Sequence, residues 1–304
     1  MIIESKRTVS RWIKSPDIAI DVDSTNDSRA ALTPRVIKLP EGGFRMFYMG
    51  AGKSNAGRIL SAFSKDLDIW EKESGIRIDT CSEKGIERVL SPDLVEVSRG
   101  VWRMYFEVHH FKGQRTIMSA VSNDLFSWSM EEGVRIQSKG IAHGAPKCLK
   151  MQNGKLRLFF HRYPQPFKKG IDAGNHIISA ISSDGLGFVF EEGARISQED
   201  YRTENYGVYA PEIIRSEDDS FLMFYSGWTW SKEEGYCGQI LSARSKDSFH
   251  WIKDKSVVIS NGGLLDSRFS SEPCLIENPK GGLTMFYEAC DHLGAKRILK
   301  ASQS

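Results

Sequence analysis

The sequence predicts an all-β protein built from a repeated unit of short strands. The first observation is a strand of apolar and aromatic residues that occurs five times, as RMFYMG, RMYFEV, RLFFHR, LMFYSG and TMFYEA. The second is a proline that stands twelve residues before the Met or Leu of each of these strands. The third is that no stretch of useful length has helical periodicity, whereas alternating apolar runs bounded by polar turns are typical of antiparallel strands.

Each unit contains the same strands in the same order. The proline lies in the first strand and the aromatic segment is the second. The third strand reads ILSAFSKD, IMSAVSND, IISAISSD and ILSARSKD, with a truncated ILKAS in the fifth unit. An aromatic residue follows the Ala of the first four by eight residues, and an Ile follows that by eight more. Repeats of four strands are typical of radial blades, so we predict a five-bladed β-propeller that spans residues 1–304 as a single domain.

The two ends of the chain complement each other. The fifth unit stops at ILKASQS, after three strands, and lacks the fourth. Near the N-terminus, RWIKSPDIAI has the Trp, and the Ile eight residues later, that the missing strand should carry. We therefore predict that each blade has four antiparallel strands and that the N-terminal strand pairs into the last blade. Such pairing closes the ring and removes an open sheet edge.

The first strand of a propeller blade lines the axis, and residues on either side of its proline point the same way because strands alternate. Three of these flanking residues are carboxylates, Asp93, Glu212 and Glu272, which we predict to be catalytic. The cations Arg35 and Lys147 lie in the same ring, and with the nearby His143 they are candidates for binding substrate. An alternative remains open: the charges could simply pair as ions along the axis, since buried charges are costly unless paired.

A second ring of side chains follows the aromatic strand, at the mouth end. Its polar members Glu107, His161 and Glu288 are further candidates for binding substrate, together with Trp228 in a neighbouring loop. Aromatic rings beside carboxylates suit a sugar, which stacks its apolar face and hydrogen-bonds its hydroxyls. Glycoside hydrolysis in turn needs two carboxyl groups whose pKa values differ.

The repeat resembles the five-bladed propellers of glycoside hydrolase families 32, 43, 68 and 130 and their relatives, over the whole chain. In families 32 and 43 catalytic acids stand beside blade prolines, and SPD, YAPE and SEP carry Asp93, Glu212 and Glu272 at such positions. The first blade has TPR and the third has GAPK where the families have acids, so the family triad is matched only in part. SKDLDIW, SNDLFSW and SKDSFHW also resemble the Asp-box turn of sialidases, which implies a structural role for Asp66, Asp124, Asp184 and Asp247.

The resemblance implies a glycosidase-like enzyme that acts on a small glycoside or on a sugar-like molecule. The cations of the ring would also accommodate an anionic substrate. A phosphorylase, lyase or cyclase on the same scaffold is the first alternative. The second is a catalytically silent propeller that binds a sugar or a protein.

Composition excludes other classes of function. The chain has 41 basic and 39 acidic residues, so no strong field attracts nucleic acid or a membrane surface. The five cysteines are scattered without metal-ligand spacing, and we expect no cofactor or metal, although an axial Ca²⁺ would suit the carboxylates. No apolar run is long enough to span a bilayer or to form the core of a signal peptide, so we expect a cytoplasmic protein. The oligomeric state is left open.

Overall fold

The computed structural model describes residues 2–3, 11–54, 56–168, 174–199, 202–216 and 218–303. All regular structure in these residues is β-strand, which confirms the prediction of an all-β protein. None of the described residues forms a helix of the length and apolar character that crossing a membrane requires.

Two strands precede the repeat: β1 (Ile2–Ile3) and β2 (Trp12–Ile20). Unit one contains β3 (Ala30–Lys38), β4 (Phe44–Ala51), β5 (Gly57–Ser64) and β6 (Glu71–Lys72). Unit two contains β7 (Ile86–Ser98), β8 (Val101–His110), β9 (Arg115–Ser122) and β10 (Ser129–Met130). Unit three contains β11 (Ile141–Lys150), β12 (Leu156–Pro164), β13 (His176–Ser182), β14 (Val189–Phe190) and β15 (Ile196–Ser197).

Unit four contains β16 (Gly207–Ser216), β17 (Phe221–Ser231), β18 (Gly235–Ser245) and β19 (Ile252–Lys253). Unit five contains β20 (Phe269–Glu277), β21 (Leu283–Cys290) and β22 (Lys296–Gln303). Within each unit, consecutive long strands pair antiparallel.

Strand pairing joins some units more closely than others. Units one, four and five form a 13-stranded sheet with β1 and β2, whereas units two and three form separate sheets of four and five strands. Single parallel pairs, Lys296↔Ala30 and Gly238↔Phe269, connect the units of the large sheet. Over the part of the chain that the structure describes, no sheet closes on itself.

The first strands of the units meet at the centre of the molecule. Strand β3 contacts β7 and β20, strand β11 contacts β7 and β16, and β16 also contacts β20. Each first strand therefore touches the first strands of two other units. This arrangement brings the residues that flank the five prolines to one central cavity.

Aromatic side chains pack one unit against another. Trp128 of unit two meets Phe47 of unit one edge-on, with ring centroids 5.8 Å apart. The same type of contact is made by four more pairs: Phe188–Tyr105, Trp251–Phe159, Trp70–Phe286 and Trp12–Phe224. In each pair an aromatic residue near the outer edge of one unit, or in β2, contacts a second-strand aromatic of a different unit. Such edge-to-face pairs add to the energy of burial.

Strand β2 lies where units one and four have their short outer strands. It pairs antiparallel with β22, and the ammonium of Lys14 lies 2.6 Å from the buried carboxylate of Asp266. The same contact recurs as Lys72–Asp27 (2.8 Å) in unit one and as Lys253–Glu204 (2.6 Å) in unit four. Lys14 of the Trp-Ile-Lys segment therefore contacts a buried carboxylate in the same way as Lys72 and Lys253 do.

The Ser-x-Asp segments form tight turns, as the sequence predicts. In unit two, Asp124 Oδ1 accepts hydrogen bonds from the backbone N–H groups of Phe126 (2.8 Å) and Ser127 (2.7 Å). The Ser122 hydroxyl accepts the N–H of Leu125, which has a positive φ of 58°. These backbone hydrogen bonds lower the pKa of Asp124 to about 2. Equivalent aspartate bonds occur at Asp66, Asp184 and Asp247.

Replacing Asp124 by Ala is expected to lower the free energy of unfolding by about 1 kcal/mol, the usual scale for a lost cap. Because the folded pKa lies below the unfolded value, this stability is present above about pH 4 and is lost as the pH falls toward 2. Denaturant unfolding at several pH values measures the difference. Replacing Glu132, an exposed residue that follows β10, is the control. A loss of ligand binding with unchanged stability would contradict this structural role.

Candidate active site

The residue before each central proline has a left-handed backbone. The φ angles are 52° at Thr33, 49° at Ser91, 46° at Ala145, 51° at Ala210 and 51° at Glu272. This conformation is uncommon for residues other than glycine. At each of these sites the register between the first and second strands shifts, which is characteristic of a β-bulge.

The central cavity is small. It is lined by the five prolines and by the residues on either side of them except Cys274, and its volume is about 30 Å³. A cavity of this size holds one or two water molecules and cannot hold a sugar ring.

Four of the predicted site residues form a buried ion network at this cavity. Arg35 Nε lies 2.9 Å from Asp93 Oδ1, and Arg35 Nη1 lies 3.4 Å from Glu212 Oε1. Lys147 Nζ lies 3.2 Å from Asp93 Oδ1 and 2.6 Å from Glu212 Oε2. Two carboxylates thus face two cations, and the network carries no net charge.

The same two carboxylates also link neighbouring units through the backbone. Asp93 of unit two accepts the N–H of Cys148 in unit three at 2.7 Å, and Glu212 of unit four accepts the N–H of Leu275 in unit five at 3.2 Å. This geometry is that of the structural alternative, in which the ring charges pair along the axis. A Ca²⁺ ion does not fit here, because Arg35 and Lys147 already neutralise both carboxylates.

Changing Asp93 to Asn is expected to destabilise the fold by about 3–5 kcal/mol, since it leaves the two cations Arg35 and Lys147 with Glu212 as their one shared carboxylate in the network. Adding Lys147→Gln removes the excess positive charge, so the double variant is expected to recover part of the loss. Denaturant unfolding of the two single variants and the double variant measures this coupling. If Asp93→Asn kept full stability while losing turnover, Asp93 would be a catalytic carboxylate, as the sequence predicts.

A second group of carboxyl groups lies beside the residues that precede the prolines, a level that we call the mouth. Glu107 is 3% exposed, and its carboxylate accepts hydrogen bonds from His109 Nε2 (2.7 Å) and from the backbone N–H of Ala145 (3.0 Å). A Cβ at Gly144 would lie 2.0 Å from Glu107 Oε2, so the absence of a side chain there is what admits this carboxylate. Burial opposes ionisation, but the His109 hydrogen bond and nearby positive charges outweigh it and lower the pKa of Glu107 to about 2.

Glu272 differs from the other central carboxyl groups. Its backbone N–H donates to Ser226 Oγ at 2.9 Å, yet no described residue forms a hydrogen bond or ion pair with its carboxyl group. Burial, followed by the charges of Glu288 and Glu107, raises the pKa of Glu272 well above its ordinary value. The carboxyl group of Glu272 therefore holds its proton to a higher pH than an exposed glutamate does.

Glu288 completes the group of three. Its carboxyl oxygens accept hydrogen bonds from Ser271 Oγ at 2.6 Å and from the backbone N–H of Thr33 at 3.3 Å. Burial raises the pKa of Glu288, although these two hydrogen bonds act in the opposite direction. The mouth thus contains carboxyl groups in different environments, which is what acid–base chemistry on a sugar requires.

Aromatic rings form one wall beside these carboxyl groups. His161 stacks on Tyr163 with centroids 5.7 Å apart and meets Tyr209 edge-on at 5.0 Å. Burial lowers the pKa of His161 to about 4, so the imidazole is neutral near pH 7. The wall continues outward through Phe167, Tyr206 and the exposed Tyr236. Trp228 packs against Phe269 at 5.0 Å in the neighbouring part of units four and five.

His143 packs inside unit three. Its ring packs against Phe160 and Phe190, and its Nε2 atom lies 3.0 Å from Ser138 Oγ. Burial lowers the pKa of His143 to about 3, so it is neutral near pH 7. His143 thus lies on the face of β11 that packs against β12 and β14.

Sequence reasoning missed several residues of the mouth. His109 holds the Glu107 carboxylate, and Tyr209 carries part of the aromatic wall. Arg115 begins β9, opposite His109 in the strand register, and donates a hydrogen bond to the Tyr163 hydroxyl. The sequence could have indicated Tyr209, because it stands two residues before Pro211 on a first strand. In the structure it pairs with the second-ring residue Ser226. Among the described residues, no group of three or more His, Cys, Asp or Glu side chains could hold a metal ion.

The chain shares its fold with known glycoside hydrolases. An endo-arabinase from Bacteroides thetaiotaomicron has a TM-score of 0.70 and 17% identity over 95% of this chain and 98% of that one. A thermostable family-43 glycoside hydrolase has a TM-score of 0.69 and 17% identity over 95% and 92%. A structure from family 130, whose mannoside phosphorylases include hydrolases of β-1,2 mannosidic linkages in Candida mannan, has a TM-score of 0.75 and 11% identity over 98% and 96%.

These matches confirm, at the level of the fold, the resemblance that the sequence repeat indicated. No protein-family model matches the chain, and no curated protein matches it by sequence. The chemistry must therefore be argued from the site itself.

Proposed function

We propose that the chain is a five-bladed β-propeller whose last blade takes β2 as its outer strand. Three observations support this proposal. The first strands contact one another from unit to unit, and β3 contacts β20. The aromatic contacts between units include Trp70–Phe286 and Trp12–Phe224, which join units one and five and β2 to unit four. Lys14 repeats the lysine–carboxylate contact of other outer strands.

We propose further that the protein is a glycosidase-like enzyme that cleaves a glycosidic bond at the mouth of the propeller. The observation that carries this proposal is the pair formed by Glu272 and Glu107. Burial and like charges raise the pKa of Glu272, whereas the His109 hydrogen bond outweighs burial and lowers the pKa of Glu107. Two carboxyl groups with opposite shifts are the hallmark of an acid and an ionised partner.

The roles follow from these protonation states. Glu272 donates its proton to the glycosidic oxygen as the bond between that oxygen and the anomeric carbon breaks. A water oxygen, or a phosphate oxygen in phosphorolysis, forms the new bond to the anomeric carbon, and in hydrolysis the proton that the water releases restores the protonated Glu272. Glu107 stays ionised and stabilises the positive charge that develops on the sugar ring. The wall of His161, Tyr163 and Tyr209 offers aromatic faces to the apolar side of the sugar. Asp93 and Glu212, by contrast, stabilise the centre of the fold through ion pairs with Arg35 and Lys147.

Product release from a panel of aryl glycosides and short oligosaccharides tests this function, with and without inorganic phosphate. We expect at least one glycoside to be cleaved by the wild type and not by the Glu272→Gln variant. Release of free sugar indicates hydrolysis, and release of a sugar phosphate indicates phosphorolysis. Saturable binding of sugars without turnover, in both proteins, would contradict the proposed enzyme and indicate a sugar-binding propeller.

A further inference from the structure

Arg115 is a half-buried cation that the proposed acid–base pair leaves unused. It begins β9, directly opposite His109, whose imidazole holds the Glu107 carboxylate. Its guanidinium donates to the Tyr163 hydroxyl and lies 5.4 Å from the centroid of the Tyr163 ring. Arg115 is therefore placed between the ionised carboxylate and the aromatic wall.

The ion pairing of Arg115 differs from that of the other central cations. Arg35 and Lys147 are each shared between Asp93 and Glu212. In the part of the chain that the structure describes, no carboxylate forms an ion pair with Arg115, and its hydrogen-bond acceptor is a neutral tyrosine hydroxyl. A guanidinium has several N–H donors, so most of those of Arg115 remain available to a ligand.

The electrostatic surroundings of Arg115 are those of the mouth. Its positive charge acts on Glu107, His161, Tyr163, Tyr206 and Tyr209, which locates it among the groups that would surround a bound sugar. An arginine that is partly desolvated, fixed on an aromatic ring and free of carboxylate partners is well suited to bind a planar or tetrahedral oxyanion through paired N–H groups.

We propose that Arg115, supported by Tyr163, is an oxyanion subsite of the mouth. The ligand group is either the carboxylate of an acidic sugar or inorganic phosphate that enters as a second substrate. This proposal rests on the glycosidase-like function above and names the substrate class for the same site. It also moves anion binding from Arg35 and Lys147, where the sequence predicted it, to a cation that forms no ion pair with a carboxylate among the described residues.

Calorimetric titration of the full chain with inorganic phosphate, glucuronate and glucose tests the subsite without any turnover. We expect one of the two anions to bind, and glucose to bind far more weakly. Arg115→Gln should weaken binding of that anion by about tenfold to a hundredfold, the effect of losing a charge-assisted hydrogen bond. Arg115→Lys keeps the charge but loses the paired donors, so it should retain only part of the affinity.

The controls separate a local effect from misfolding. Arg99 lies in the hairpin at the opposite end of the same sheet, and Arg99→Gln should bind the anion as the wild type does. Tyr163→Phe keeps the ring and frees the guanidinium, so anion binding should persist. If neither anion binds the wild type, or if Arg115→Gln binds it unchanged, the subsite is refuted.

The two anion sources and the two proposals can be told apart. Phosphate binding predicts that glycoside cleavage needs phosphate, with a new bond from a phosphate oxygen to the anomeric carbon and the Glu272 proton on the leaving oxygen. Glucuronate binding without phosphate binding predicts cleavage of acidic glycosides by water. Anion binding that depends on Arg115, in a protein that cleaves no glycoside, would keep the subsite and refute the enzyme.

Discussion

Glu272→Gln is expected to lower turnover by about a hundredfold to ten-thousandfold, the contribution that general acid catalysis makes. The loss should be largest for glycosides with poor leaving groups, because these need a proton on the departing oxygen. It should be smallest for aryl glycosides whose phenol leaves unaided. In the wild type the rate should fall as the pH rises through the raised pKa of Glu272, and the variant should lack this dependence.

The same substitution is expected to preserve or raise stability. A carboxyl group whose folded pKa is raised binds its proton more tightly in the folded state. Its ionisation therefore destabilises the fold as the pH rises above the unfolded value, which is about 4.3 for Glu. The variant should match the wild type in acid and exceed it near neutral pH. Glu277→Gln, an exposed position on the same strand, is the control for both measurements. Equal losses across all leaving groups would contradict the role of Glu272 as the acid.

The strand pattern could be predicted from the sequence because every unit repeats the same physical solution. Three features each require particular residue types at fixed spacing. They are a buried second strand such as Phe44–Ala51, an Asp-capped turn, and an aromatic residue eight positions after an Ala. Five repetitions of one pattern outweigh the ambiguity of any single strand. The bulge at each proline was not predicted, because the residue types at these positions do not indicate that the residue before the proline adopts a positive φ.

The pairing of the ring charges could not be predicted from the sequence. The ring residues line one central cavity, but the residue types alone do not show which carboxylate pairs with which cation. Asp93 and Glu212 lie opposite Arg35 and Lys147, and this pairing depends on the order of units around the axis. The sequence predicted the same catalytic role for Glu272 as for Asp93 and Glu212. Its separate role follows from contacts across units, with Ser226 taking its backbone N–H and no described group taking its carboxyl.

Deleting residues 1–20 is expected to leave the protein insoluble or strongly destabilised, because β2 is the partner of β22 and part of two cores. Ile20 is 2% exposed and belongs to the core shared by units one and five. Trp12 packs on Phe224 in another core. The deletion also removes Lys14 and leaves the buried Asp266 carboxylate without its cation, which is a costly change in itself. Thermal unfolding and light scattering measure the outcome.

Point variants show whether the effect comes from closure or from truncation. Trp12→Ala should cost about 2–3 kcal/mol, somewhat less than the loss of a fully buried Trp, because Trp12 is only half-buried. Trp251→Ala, the equivalent position of unit four, should cost a similar amount if β2 acts as an outer blade strand. Ile13→Ala should change little, since Ile13, the residue after Trp12 on β2, is 57% exposed. A soluble deletion variant with an unchanged melting temperature would refute the closed ring, because the exposed edge of β22 and the uncovered Phe224 would then carry no energetic penalty.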